Sequence, residues 1–187
     1  MSDVTRILDA AAHGDPKAAD ELLPLVYNEL RKLAAHKMAL EQPGQTLQPT
    51  ALVHEAWLRL AGDEPASFGG RGHFFAAAAE AMRRILIDRA RQKLSLKRGA
   101  RAERVNLDEL EVAVAADDET LLLVDEALAK LTKEDSDSAG FIKLRFFAGL
   151  TNDEAAQALG IPERTARRHW SFARAWLYRE IRRQTEA

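Results

Sequence analysis

The chain has 187 residues, enough for one large or two small domains. It is 47% hydrophobic and 30% charged, an ordinary globular balance, and its lack of cysteine excludes disulfides, iron–sulfur clusters and Cys-ligated zinc and fits a reducing cytoplasm. The formal net charge of −2 would argue against nucleic acid if it were evenly spread, but residues 76–104 carry 9 basic and 3 acidic groups, 105–139 carry 2 and 11, and 140–187 carry 9 and 5.

The elements read as helices throughout, with no strand alternation or hairpin signal. Val4 to Ala12 forms a short helix, and Gly14-Asp15-Pro16 breaks and restarts the chain. Leu22, Leu23, Leu25, Val26, Leu30 and Leu33 give the next helix a wide apolar face, which ends near Gln42-Pro43-Gly44. Pro49 opens a third helix that ends at Gly62. A glycine-rich loop covers 62–72, and a long helix runs from about His73 to Lys97, closed by Arg98-Gly99. Within it, Phe74 to Met82 is apolar but far short of the ~18 residues of a membrane span, and no other stretch reaches that length. The acidic N-terminus lacks a signal core, so neither membrane nor secretion is expected. Residues 100–118 read as an acidic linker, with Asp108, Glu109, Glu111, Asp117 and Asp118. Leu122, Val124, Ala127, Leu128 and Leu131 restart the helical pattern from Glu119. After a polar break at Lys133 to Ser138 comes a short helix, Phe141 to Phe147. The expected fold is all-α: a helical domain at 1–99, a linker at 100–118 and a second helical domain at 119–187.

Residues 150–181 carry the sharpest signal. Thr151 and Glu154 fit a capping box, in which each satisfies a backbone donor of the other. Ala155, Ala156 and Leu159 make a short apolar face, and Gly160 can take the positive φ that ends a helix. Ile161 suits packing in the turn, and Pro162 suits the first position of the next helix. Ala166, Trp170, Ala173 and Leu177 fall at i, i+4, i+7 and i+11 and should face inward. Arg164, Arg167, Arg168, Ser171 and Arg174 then fall largely outward. This is a helix-turn-helix with arginines on its second helix, a shape and charge suited to the DNA major groove.

Candidate catalytic and metal motifs fail. His54-Glu55 begins like HExxH, but position 58 is leucine. The five histidines form no i, i+4 pair, and Gly69-Gly70-Arg71-Gly72 lacks the GK[ST] of a phosphate loop. The expectation is a protein that is not an enzyme, with no cofactor and no metal.

LQPTALVHEAWLRL (47–60), a glycine-bearing loop, GHFFAAAAEAMRRILIDRARQKLSLKRG (72–99) and then the helix-turn-helix form an ordered set. The set resembles bacterial RNA polymerase sigma factors of the sigma-70 family, extracytoplasmic-function (ECF) type, over nearly the whole chain. The resemblance implies a sigma region 2-like front domain and a region 4-like back domain. It implies a factor that binds core RNA polymerase and directs it to promoter DNA at −10 and −35 elements. Core-polymerase contacts carry over to Leu52, Val53, His54, Glu55, Trp57 and Arg59, although Leu52, Ala56 and Leu60 also fit a core stripe. Contacts to the −10 element carry over to Arg71, Arg83, Arg84, Asp88, Arg89 and Arg91, with loop 62–74 as a base pocket. Many members have Arg-Asn where this chain has Arg83-Arg84. Phe68, Phe74 or Phe75 suit either base stacking or a core. Contacts to the −35 element carry over to Arg164, Thr165, Arg167, Arg168, Ser171 and Arg174, with Trp170 at an apolar core position. The acidic linker fits either the RNA exit path of polymerase or a solvated tether. An anti-sigma factor is a further partner that the resemblance leaves room for. The rival readings are a stand-alone helix-turn-helix regulator and a helical adaptor whose arginines meet acidic proteins.

Overall fold

The computed structural model describes residues 6–7, 49–61, 71–96 and 118–185. Six helices run through the described segments: α1 (Pro49–Ala61), α2 (Arg71–Leu96), α3 (Asp118–Glu134), α4 (Ser136–Phe146), α5 (Asn152–Leu159) and α6 (Glu163–Thr185). No strand occurs among these residues. The elements expected between 8 and 48, the loop at 62–70 and most of the acidic stretch at 100–118 lie outside them.

Helix α2 is the central element. At 26 residues and ~1.5 Å per residue it is ~39 Å long. Phe74, Phe75, Ala78, Ala79, Ala81, Met82, Ile85, Leu86, Ile87 and Ala90 are all buried. That is more than one stripe, and a helix apolar on several sides must be covered on several sides. It packs against α1 and also against α3, α4 and α5. The sequence FFAAAAEAM is therefore a core segment: its alanines let neighbouring helices approach closely, and Phe74 and Phe75 meet edge to face. Both rings belong to the core and neither is available for base stacking. Phe68 lies outside the described residues.

The back half is held by an antiparallel pair, α3 and α6. Leu121, Val124, Leu128 and Leu131 make the inward stripe of α3. Alongside it runs a polar ladder: Gln184 donates to Glu126 (3.4 Å), Lys130 to Glu180 (2.9 Å) and Trp176 Nε1 to Glu134 (2.9 Å). Steps of four residues up α3 match steps of four down α6, which fixes the register. Glu180 is buried, and the hydrogen bond from Lys130 leads the causes that hold its carboxyl below the usual range.

The polar break after α3 is much shorter than its sequence suggests. Asp135 alone leaves helical geometry (φ −147°, ψ 92°) and its side chain accepts from Ser138 N, so α4 begins at Ser136 instead of Phe141. Serine and aspartate favour a cap as readily as a loop, so the composition of this stretch fits either. Arg145 near the end of α4 is buried, donates to the Leu150 carbonyl (3.0 Å) and lies over the Trp170 ring (4.4 Å). It braces the turn into α5 from inside.

Candidate nucleic-acid interface

The helix-turn-helix forms as its sequence dictates. Thr151 N donates to Glu154 Oε2 (2.7 Å) and Glu154 N to Thr151 Oγ1 (3.2 Å), a complete capping box on α5. Gly160 ends α5 in the left-handed region (φ 65°), and Ile161 N returns to the Ala156 carbonyl (3.0 Å). Pro162 stands one place before the expected position. Helix α6 starts at Glu163, and the Pro162 carbonyl accepts from Thr165 N and Ala166 N. Proline serves there equally well, because the cap position needs no intrahelical donor. Ala166, Ala173 and Leu177 are buried, and Trp170 packs partly buried against the core.

That packing turns the arginines outward. Arg164, Arg167, Arg168 and Ser171 are exposed, while Thr165 and Arg174 are half-buried. Arg167 pairs with Glu163 (3.0 Å), but both side chains are exposed, so this pair exchanges readily with a phosphate. The six residues share one side of the recognition helix, with Phe172 exposed beside them.

The residues of α2 expected to meet the −10 element divide into two sets. Arg84, Asp88 and Arg91 fall at i, i+4 and i+7 and are exposed; Arg89 is half-buried. Arg71 opens α2, and its side chain is not among those described. Arg83 is turned the other way. Its guanidinium forks onto Glu80 (2.9 and 3.1 Å) and also donates to Asp125 of α3. Glu80 is further approached by Arg84 (3.1 Å) and by Lys143 of α4 (3.5 Å). Burial alone would push the Glu80 carboxyl up. The hydrogen bonds from Arg83 and Arg84 and the charges of Arg83 and Lys143 overcome it and hold the group at about 2. The same pairing with Glu80, then Asp125, raises Arg83 further.

On α1, Leu52 and Val53 are buried in the core beside Ala56 and cannot offer side chains to a partner. The stripe of positions 52, 53, 56 and 60 packs on α2, so the polymerase-docking reading of α1 rests on its more exposed residues. His54 and Arg59 are exposed, and Glu55 and Trp57 are half-buried. Leu58 is 59% exposed, a large apolar side chain in water that the docking set expected from sequence did not include. Its position off the core stripe is the signal that would have found it. Glu55 lies between Arg59 (3.3 Å) and Arg89 (2.7 Å), and Arg59 reaches Asp88 (3.9 Å). These pairs tie the outer faces of α1 and α2 into one charged surface.

Asp135, Ser138 and His169 stand in contact and could be mistaken for a hydrolytic triad. A triad needs histidine between serine and acid. Here Ser138 is in the middle: Oγ donates to Asp135 (2.6 Å) and lies 2.7 Å from His169 Nδ1, so His169 must be the donor there. Ser138 is buried, and His169 stacks on Phe141. The trio is a cap that ties α4 to α6. Among the described residues no cluster of His, Asp or Glu could hold a metal ion, and no helix is long and apolar enough to cross a membrane.

A family model described as ECF sigma factor matches residues 1–183. No curated protein and no solved structure matches the chain.

Proposed function

Because the chain belongs to the ECF sigma factor family, whose members bring RNA polymerase to promoter DNA for transcription initiation, we propose how its own residues divide that work. The outward face of α6 at Arg164, Thr165, Arg167, Arg168, Ser171 and Arg174 reads the −35 element in the major groove. The face of α2 at Arg84, Asp88, Arg89 and Arg91, joined by Arg71 and Arg83, holds the −10 element. His54, Glu55, Trp57 and Arg59 of α1, with Leu58 added, dock on core polymerase. The factor itself catalyses no covalent step.

The observation that carries this reading is the recognition helix. A correctly capped helix-turn-helix presents arginines from the first turns of α6, while every inward position is filled. Arginine there can take guanine O6 and N7 together, at ~1–3 kcal/mol of discrimination per pair. On α2, guanidinium groups suit phosphate oxygens, which position the strand without reading it.

The test is reconstitution. Purified full-length chain is added to core polymerase free of other sigma factors, with genomic promoter fragments, and transcripts are mapped. Promoter-specific transcripts and co-elution with core are expected. Absence of both would leave a stand-alone DNA-binding regulator as the better reading.

A further inference from the structure

Three large apolar side chains are exposed among the described residues: Leu58, Phe172 and Tyr178. Of these, Phe172 stands among the arginines of the first turns of α6. It lies one turn beyond Arg168 (i+4) and two beyond Thr165 (i+7), so the three share one stripe. A lone exposed apolar residue is ordinary on a protein surface. Phe172 is set apart by its neighbours and by what holds it in place.

The positions that flank it toward the core are already filled. His169, three residues earlier, stacks on Phe141 of α4 and lies 2.7 Å from Ser138 Oγ. Trp176, four residues later, is buried and donates to Glu134 of α3 (2.9 Å). The phenyl ring is therefore left on the solvent side of a helix that is pinned before and after it. On the outward side, Ser171 and Ala175 are exposed and too short to cover the ring. A side chain carried on a rigid, doubly anchored helix is placed well enough to read a neighbouring surface.

If α6 reads the −35 element as proposed, the ring enters the major groove beside Arg168, and its role rests on that assignment. A phenyl ring forms no hydrogen bond with a base edge and gains nothing from phosphate. The apolar group that the major groove offers is the C5-methyl of thymine. At ~1.5 Å per residue, Phe172 stands ~6 Å along the axis from Arg168, which is one or two base-pair steps of ~3.4 Å. We propose that Phe172 is a specificity-determining residue, packing its ring on a thymine methyl one or two steps from the guanine taken by Arg168. Arginine reads guanine through O6 and N7; the ring reads thymine by removing its methyl from water. Cytosine lacks that methyl, and a purine presents only polar atoms there, so the contact separates thymine from the other three bases.

The experiment uses the full chain with core polymerase, bound to the strongest promoter fragment from the reconstitution. Each thymine of the −35 element is replaced in turn by uracil, which removes the methyl and keeps the pairing edge. Wild type should lose about fourfold in affinity at one position, the worth of burying one methyl-sized group. That position should lie one or two steps from a guanine whose replacement is felt by wild type but not by Arg168→Ala. Phe172→Ala should bind the all-thymine fragment about fourfold more weakly or worse, and should no longer respond to uracil at that position. Phe172→Leu should keep the response, and both variants should compete for core as wild type does. Equal sensitivity to uracil in wild type and Phe172→Ala would overturn the proposal, as would an element with no A·T pair within two steps of that guanine. Core binding lost by Phe172→Ala in step with promoter binding would also overturn it, making the ring a polymerase contact. A wild type that responds to a scrambled −35 element but to no uracil removes the role of Phe172 and leaves α6 as the −35 reader. A wild type indifferent to the scrambled element removes both.

Discussion

The two arginine-bearing helices differ in what their charges already touch. On α6, Arg164 and Arg168 stand exposed with no ion pair among the described residues, and Arg167 holds only an exposed neighbour. On α2, Arg83, Arg84 and Arg89 are each bonded to a carboxylate, and two of those carboxylates belong to other helices. The first surface can meet DNA as it stands. The second must exchange partners, so part of any DNA contact is offset by the ion pairs it breaks. Equal charge in the sequence is thus unequal availability in the fold.

The largest expected effect tests the open surface. Arg168→Ala should lower initiation from promoters with an intact −35 element by about tenfold or more, in line with ~1–3 kcal/mol for a bidentate base contact. Its competition for core polymerase should be unchanged. Equal loss in both assays would contradict the role given to α6. The reverse is expected on α1. Replacing Glu55 and Arg59 together should weaken core binding several-fold while leaving binding of the isolated chain to −35 duplex intact; a native competition curve would show that the docking surface lies elsewhere.

Smaller effects reach the fold beneath these surfaces. Thr151→Ala removes one half of the capping box and should lower stability by ~1 kcal/mol, read as a shifted urea midpoint with unchanged slope. Glu80 gives a pH signature. Its carboxyl is held at about 2 against an ordinary 4.5, so it stabilises the fold above 4.5, and that contribution fades as pH falls through about 2. The groups facing it are Arg83, Arg84 and Lys143, with Asp125 behind Arg83. The stability gap between wild type and Glu80→Gln should therefore be full at pH 6 and narrow steadily below pH 4.5. A gap that widens with acid would reverse the assignment. The smallest effect is expected from Arg167→Ala, whose exposed pair with Glu163 adds no more than ~0.5 kcal/mol to stability, although its loss should still lessen the salt dependence of DNA binding by about one phosphate contact.

Much of this was legible in the sequence because the signals were local. Thr151, Glu154, Gly160 and the 166/170/173/177 stripe act within a few residues of themselves, and each lies where its chemistry required. The helices at 49–61 and 71–96 also fell close to their expected bounds. Non-local pairing was hidden. Nothing near Arg83 in the sequence announces Asp125, 42 positions on, and nothing near Arg145 announces Trp170, over whose ring it lies. Leu52 and Val53 looked available because an apolar residue on an amphipathic helix suits a partner's groove as well as its own core. Only the packing on α2 decides between them. Asp135 showed the same ambiguity at smaller scale, since a capping residue and a loop residue share a side chain.

The most direct test crosses the two surfaces with the two promoter elements. Transcription by core polymerase with wild-type chain, Arg168→Ala and Arg84→Ala is measured on one promoter in three forms: intact, −35 scrambled and −10 scrambled. The division of labour predicts that the Arg168→Ala penalty disappears once −35 is scrambled and that the Arg84→Ala penalty persists there. If Arg168→Ala loses activity by the same factor on all three templates, α6 does not read the −35 element assigned to it.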